Sequence, residues 1–321
     1  MMRSRRFGAL LAAGTALAAL AALPRLASIL PAAAERSLLT WMLLVFLYTA
    51  LAQSWNLLSG FGGQVNLGHA AFFGLGAVIT RTLWLKGTSL ILAVPAGVGA
   101  AATAGLIIGA PTLRLYGPYF AIGTLAAAEI MRITTSNLMP EVSTLPEPVL
   151  AAYNLIPRYY LALAVAVLTV AAAWLLTRSR FGYGLAAVRE DETVAEASGV
   201  RAFPHKLMAF VASSALAGAA GAVFGYYFVS FYPQFAFSPL WTFDALLITF
   251  LGGVGTVWGP VAGAAFYLML REALALRLVE VHLLIFGILF IIIVVALPGG
   301  FVEAWRAAVA RGLGPRAGHH T

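Results

Sequence analysis

The stretch RSRFGYGLAAVREDETVAEASGVRAFPHK, Arg178 to Lys206, is a charged island in an apolar chain. Arg178, Arg180, Arg189, Arg201 and Lys206 stand there against Glu190, Asp191, Glu192 and Glu196. Over all 321 residues, 61% are hydrophobic and 10% charged, with a mean hydropathy of +0.91. Soluble domains average roughly 25% charged residues, so an ordinary water-soluble globule is excluded. In lipid each backbone N–H and C=O must find a partner inside the protein, which leaves helices or a closed barrel. A spanning helix takes about 20 apolar residues. The runs flanking the island are of that order and show no period-2 alternation. The fold class that follows is an all-α polytopic membrane protein with about ten transmembrane helices (roughly eight to ten), some broken at glycines. It forms one membrane domain over 1–321, with a polar loop at 178–206 and a polar tail at 302–321.

Outward from the island the expected spans can be placed. The first apolar core, Phe7 to Leu23, follows a basic start and reads as a retained span. A cleaved signal peptide is its rival, because Ala19 and Ala21 suit a peptidase. Further spans are expected over 37–58, up to about 85, and over 89–110, 118–135 and 158–177. A polar, proline-bearing loop fills 137–157. Beyond the island come spans ending near Phe231, then over 240–251, 260–271 and 282–297. The segments 240–251 and 260–271 are short and separated by GGVGTVWGP. Paired short, Gly/Pro-broken segments mark discontinuous helices. Two full crossings and one re-entrant pair both remain open.

Charge sets the topology. With the N-terminus inside, Arg3, Arg5, Arg6, Arg114, the island's basic residues, Arg306, Arg311 and Arg316 share one side. The opposite side keeps Arg25, Arg36, Arg81, Lys86, Arg132, Arg158, Arg271 and Arg277. That bias follows the positive-inside rule and places both termini and the island in the cytoplasm. It also accounts for the net charge of +8. Nucleic-acid binding would need a clustered basic face or a recognition module, and the sequence has neither. The chain has no cysteine, which excludes disulfides and thiolate chemistry.

The island itself is patterned. Phe181, Leu185 and Val188 fall near helical spacing, as do Val194, Ala197 and Val200. Gly199 stands where a helix would end, since glycine readily takes the left-handed position after a C-cap. Two short helices are expected, the second closing in a turn at Gly199.

The stretch SGFGGQVNLGHAAFFGLGA, Ser59 to Ala77, crowds Gly62, Gly63 and Gly68 among other glycines. Glycines let helices approach closely in lipid, or let backbone break where it lines a cavity. Gln64, Asn66 and His69 lie among them at membrane depth, where polar side chains face the protein interior or a pathway. Two readings stand: hydrogen bonding between packed helices, or a pathway-lining gate. His69 has no second histidine or carboxylate at ligand spacing beside it, so no metal site is expected. Glu129 and Arg132, at i,i+3, can pair. They form either a structural ion pair or a recognition pair, Arg132 for a carboxylate and Glu129 for an amine. Asp244 reads as an interface residue. The run FLGGVGTVWGP, with Gly252, Gly253, Gly255, Gly259 and Pro260, echoes SGFGGQVNLGH, which suggests an internal repeat of broken segments.

Four blocks resemble one family. The run FGYGLAAVREDETVAEASGVRAFPHKLMAFVASSALAGAAGAVFG, from Phe181, looks like the cytoplasmic loop and next span of LivM-type permeases of branched-chain amino acid ABC importers. SGFGGQVNLGHAAFFGLGA, RLYGPYFAIGTLAAAEIMR and LITFLGGVGTVWGPVAGAAF resemble three further blocks of that family. The resemblance implies an ABC importer permease fold in the bacterial inner membrane, surrounded by lipid. It implies a sister permease of the LivH type, two ABC ATPase subunits and an extracytoplasmic solute-binding protein as partners. By the same resemblance, Asp191, Glu192, Glu196, Ala197 and Gly199 form the element that docks on the ATPase. One departure concerns the outer loop, TTSNLMPEVSTLPEPVLAAYN, which lacks the family's glycine-rich run and puts solute choice or binding-protein docking in question. With no phosphate loop in this chain, ATP would be bound by the partners, and no cofactor is expected here. No catalytic constellation stands out, so a transport subunit rather than an enzyme is expected. The alternatives are the same machine carrying urea or short amides, and an ion-coupled secondary carrier.

Overall fold

The computed structural model describes residues 2–139 and 143–277, together with Gly287. Helices dominate: α1 Met2–Ala27, α2 Ala32–Trp55, α3 His69–Leu85, α4 Leu90–Thr112 and α5 Pro118–Leu138. After β1 (Ser143–Thr144) and α6 (Glu147–Ala151) come α7 Leu155–Leu176, α8 Arg180–Glu190, α9 Glu192–Ala197 and α10 Ala202–Tyr227. Then follow β2 (Ser230–Phe231), α11 Pro233–Ala236, α12 Leu240–Gly252 and α13 Gly259–Arg277.

Among the described residues, five segments are long and apolar enough to cross a bilayer: Ala32–Gly60, Leu90–Thr112, Leu155–Leu176, Ala202–Tyr227 and Pro233–Gly252. Apart from Gly287, the expected span over 282–297 lies outside the described residues, as does the tail at 302–321. α12 alone has 13 residues, or about 20 Å of helix against a hydrocarbon core of about 30 Å. It reaches spanning length only together with α11.

The segment expected over 260–271 runs on as α13 to Arg277, and three further departures from expectation have a cause in the structure. α7 starts at Leu155 rather than 158, because the Asn154 side chain caps it, accepting from the Ile156 N–H at 2.9 Å. The region 137–157 is not plain loop. Its Ser143–Thr144 pairs antiparallel with Ser230–Phe231, and α6 follows. α10 stops at Tyr227, short of Phe231, because two arginines take the carbonyls at its end. Arg81 donates to the carbonyls of Gly225 (3.1 Å), Phe228 (2.6 Å) and Val229 (2.9 Å). Arg158 donates to Tyr226 O at 3.0 Å and lies 3.8 Å from the Tyr153 ring centroid. Guanidinium groups suit this end, where helical carbonyls lack partners and the dipole is negative.

α10 is the central helix, packed on α2, α3, α4 and α7. It comes close to α3 because both are small at the contact: a Cβ on Gly76 would fall on the Gly218 carbonyl. At the β2 end, the Trp241 ring packs on those of Phe73, tilted with centroids 4.6 Å apart, and Phe224, edge-to-face at 4.9 Å. α1 is tied to α7 by the hydroxyls of Tyr159 and Tyr160, which donate to Leu20 O and Ala21 O at 2.7 and 2.9 Å. Ile91, Ile107, Ile122 and Leu175 leave apolar faces exposed on the outside of the layer, as lipid-facing surfaces require.

Candidate functional site

The two glycine-rich breaks lie against each other. α2 leaves its regular winding in a single π-helical turn, Asn56–Gly60, a local irregularity common at functional sites. The Asn56 carboxamide then bridges to the second break. Its Oδ1 accepts from the Gly255 N–H at 2.8 Å, and its Nδ2 donates to the Thr256 carbonyl at 2.9 Å. A Cβ on Gly60 would collide with the Asn56 side chain and stand 2.8 Å from Gly255 N, so only glycine permits this approach. The echo between the breaks extends to the backbone: Gly63 and Gly253, each second in its Gly-Gly pair, both have positive φ, 70° and 124°.

Polar side chains hold both breaks. In the first, Ser59 Oγ donates to Gln64 O at 2.8 Å and Trp55 Nε1 donates to Asn66 O at 2.8 Å. Two N–H groups at and just before the start of α3 are met from other helices. Thr242 Oγ1 on α12 accepts from Ala70 N at 2.8 Å, and Thr124 Oγ1 on α5 accepts from Leu67 N at 3.2 Å. In the second break, Thr256 Oγ1 donates to Gly253 O at 2.8 Å and accepts from Gly259 N at 3.0 Å.

The expected residues of this region take distinct places. Asn66 is buried, with Oδ1 accepting from Gly68 N at 2.8 Å. His69 is fully buried, its Nε2 2.8 Å from Ser54 Oγ. The Ser54 hydroxyl is spent on Leu51 O at 2.7 Å, so Nε2 is the donor of the pair. Asn66 Nδ2 and His69 Nδ1 have no hydrogen-bond partner among the described residues. Gln64 is half-buried at the mouth of the break, between exposed Gly63 and Val65. Glu129 and Arg132 are elsewhere, at the end of α5 nearer the β1–β2 ribbon. They form an ion pair, with Arg132 Nε to Glu129 Oε2 at 2.8 Å and Nη2 to Oε1 at 2.5 Å. Asp244 is an interface residue: Tyr267 Oη on α13 donates to it at 2.5 Å.

The island folds as two helices. Ser179 caps α8, accepting from Gly182 N at 2.9 Å, and Asp191 caps α9, accepting from Val194 N at 2.9 Å. α9 closes in a Schellman turn: Gly199 N donates to Glu196 O at 2.9 Å and Val200 N to Ala195 O at 3.0 Å, with Gly199 at φ 86°. Val200 packs back on the buried trio Val188, Ala195 and Ala202, which binds α9 to α8 and α10. Glu192 forms an ion pair with Lys206 of α10. Of the five docking candidates, Asp191 and Glu192 therefore also serve the island's own structure. Glu196, Ala197 and Gly199 are exposed, beside Val194 at 62% exposure.

One face of α8 reaches the breaks. Leu185 is fully buried with Leu57, Leu58 and Phe210, and its side chain lies under Gly62. One turn on, the Arg189 guanidinium donates to the Gly60 carbonyl. A Cβ on Gly255 would stand 3.1 Å from Arg189 Nη1. A single side chain of the island thus touches the junction of both breaks.

The family comparison follows the same elements. Residues 37–294, which contain both breaks and the island, match the model for the branched-chain amino acid transport system / permease component. The chain belongs to that family. It is similar to the high-affinity branched-chain amino acid transport system permease protein LivM of Escherichia coli K12, 28% identical over 298 residues, 82% of this chain and 69% of the relative. The LivM of Salmonella typhimurium gives the same figures, 28% over 82% and 69%. The autoinducer 2 import system permease protein LsrC of Photorhabdus laumondii is 28% identical over 221 residues, 65% of this chain and 55% of that protein. No solved structure gives a significant match. The chain is a multi-pass membrane permease of a transport system, similar to LivM.

Within this permease, sequence reasoning placed both breaks and the island but missed the residues that join them. Asn56 lies in an apolar run, and a carboxamide at membrane depth was the signal that could have found it. Arg189 stands among the island's charges, and nothing in its spacing points to Gly60.

Proposed function

We propose that this chain is the permease subunit of an inner-membrane ATP-binding cassette importer that moves branched-chain or similar hydrophobic amino acids into the cytoplasm. Its partners in this reading are a sister permease, two ATPase subunits and an extracytoplasmic binding protein. Family membership supports the transport class, and the similarity to LivM supports the solute class. The observation that carries the mechanism is Arg189, which links the island to the paired breaks.

In this mechanism the exposed face of α9, around Glu196 to Gly199, rests on the ATPase. Closure of the ATPases displaces α9, and the Val188, Ala195 and Ala202 contact transmits the displacement to α8. Leu185 and Arg189 share one face of α8, at i,i+4. They shift against Gly62, Gly60 and Gly255, so the two breaks move as a joined gate with Asn56 as the link. Such coupling needs two states that the ATPase contacts differently. Gln64, Asn66 and His69 line the first break, with Asn66 Nδ2 and His69 Nδ1 as its unspent polar groups.

The test is reconstitution of the permeases with their ATPases in liposomes that contain ATP. Leucine uptake is expected only with ATPases and binding protein present, and uptake without any ATPase would overturn the reading. The departure of the outer loop from the family pattern favours one variant reading, the same machine with another cargo such as urea or a short amide. Titration of the cognate binding protein with leucine and with urea separates the two.

A further inference from the structure

The cleft beside Glu129 and Arg132 has a shape and chemistry that the gate does not use. It is an open cleft of about 450 Å³ between α5 and the α11–α12 segment, lined by Glu129, Arg132, Tyr232, Gln234, Phe235 and Ser238, among others. That volume falls within the range of small-molecule sites, about 300–1,000 Å³. It opens at the end of α10 that carries β2, opposite the end that carries α9.

We infer that this cleft is a receiving site for a zwitterionic α-amino acid with an aliphatic side chain. The inference rests on the importer reading for the side from which the solute arrives. Glu129 and Arg132 keep 39% and 36% of their side-chain surface exposed. An ion pair this open contributes little to stability, so its opening is inexpensive. A zwitterion replaces it without changing the charge count. Its carboxylate takes the Arg132 fork, which matches a planar carboxylate in two hydrogen bonds, and its ammonium takes the Glu129 carboxylate. An acid alone would leave Glu129 facing a second anion, and an amine alone would leave Arg132 facing a second cation. Urea has no charge to offer either group.

The apolar wall is already in place. Tyr232 and Phe235 are half exposed into the cleft, at 50% and 48%. The Phe235 position is fixed from behind, since Trp241 Nε1 donates to its carbonyl at 3.0 Å and the Trp241 ring meets its ring edge-on at 5.8 Å. An aliphatic side chain laid on these rings leaves water at no conformational cost to the protein.

Labelling kinetics test the site directly. This chain has no cysteine, so Gln234→Cys in the complete transporter, held in lipid nanodiscs, gives one thiol on it, read by the mass of this subunit. Leucine should slow maleimide labelling severalfold, and 4-methylpentanoate, 3-methylbutylamine and urea should not. Glu129→Gln or Arg132→Gln should each abolish the protection. The double exchange Glu129→Arg with Arg132→Glu, which rebuilds a pair, should restore part of it. Labelling indifferent to leucine, or protection that survives both single variants, overturns the site. ATP-driven leucine uptake on the same preparations keeps the two readings apart. Uptake without protection rejects the cleft alone, and protection without uptake rejects the importer reading while the cleft stands.

Discussion

Asn56 and Gly255 are 199 positions apart, and the side chain of one accepts the backbone N–H of the other at 2.8 Å. The same carboxamide donates to Thr256 O, so one residue of the first break satisfies both a donor and an acceptor of the second. Two irregular backbone segments packed against each other have few other sources of hydrogen bonds, and each group left unmet in their contact is costly. Asn56→Leu keeps the volume and removes both bonds. Each group left unpaired in the junction should cost about 1–3 kcal/mol. The variant should melt earlier in detergent and lose uptake. A melting curve and an uptake rate equal to those of wild type would refute the joined gate.

Arg189 supplies the second link, from α8 to the Gly60 carbonyl. Arg189→Gln can still donate but is too short to span from α8 to Gly60. Uptake should fall roughly 5- to 150-fold, the range of ordinary coupling free energies of ~1–3 kcal/mol. ATPase activity of the assembled complex should persist, because Arg189 faces the breaks rather than the exposed side of α9. Parallel uptake and phosphate-release assays decide the matter. A proportional loss of both activities would place Arg189 in assembly instead.

The fold was legible where physics acts locally. Apolar runs mark the helices, glycine clusters mark both breaks, and Gly199 marks the end of α9. The end of α10 slipped because distant groups decide it. α10 ends at Tyr227 because Arg81 and Arg158, on α3 and α7, reach its last carbonyls. The ribbon of Ser143–Thr144 with Ser230–Phe231 joins segments whose pairing no local pattern announces. The candidate site divided in the same way. The breaks were visible as motifs, while the contact between them depends on Asn56 and Arg189, single residues whose partners are far away in sequence. Asp191 and Glu192, docking residues by the family resemblance, also carry structural tasks. In the structure one caps α9 and the other pairs with Lys206.

That pair is asymmetric, and the asymmetry can be measured. The Lys206 side chain is 5% exposed and the Glu192 side chain 35%. Glu192→Ala leaves an ammonium buried without its partner, whereas Lys206→Met leaves a carboxylate that can turn to water. The first should fall between the ~0–1 kcal/mol of exposed pairs and the ~3–5 kcal/mol of broken buried ones. The second should cost less, since Met fills much of the space of the lysine stem. Thermal midpoints of the two single variants test the order, and a larger loss for Lys206→Met would contradict it.

Gly199 offers the cleanest separation of conformation from contact. A Cβ there meets nothing within 4 Å, yet φ is 86°. Gly199→Ala therefore acts through the backbone alone, and the left-handed conformation should cost about 1–2 kcal/mol. Gly199→Asn should cost less, because asparagine tolerates that region. The Gly199 and Val200 amides, which close the turn on Glu196 O and Ala195 O, report the effect. Their hydrogen exchange should quicken by roughly 5- to 30-fold in the alanine variant, the factor that corresponds to ~1–2 kcal/mol. Because α9 is the proposed contact with the ATPase, co-purification of the ATPase should weaken in the same order, alanine more than asparagine. Faster exchange with undiminished co-purification would show that the ATPase docks elsewhere on the island.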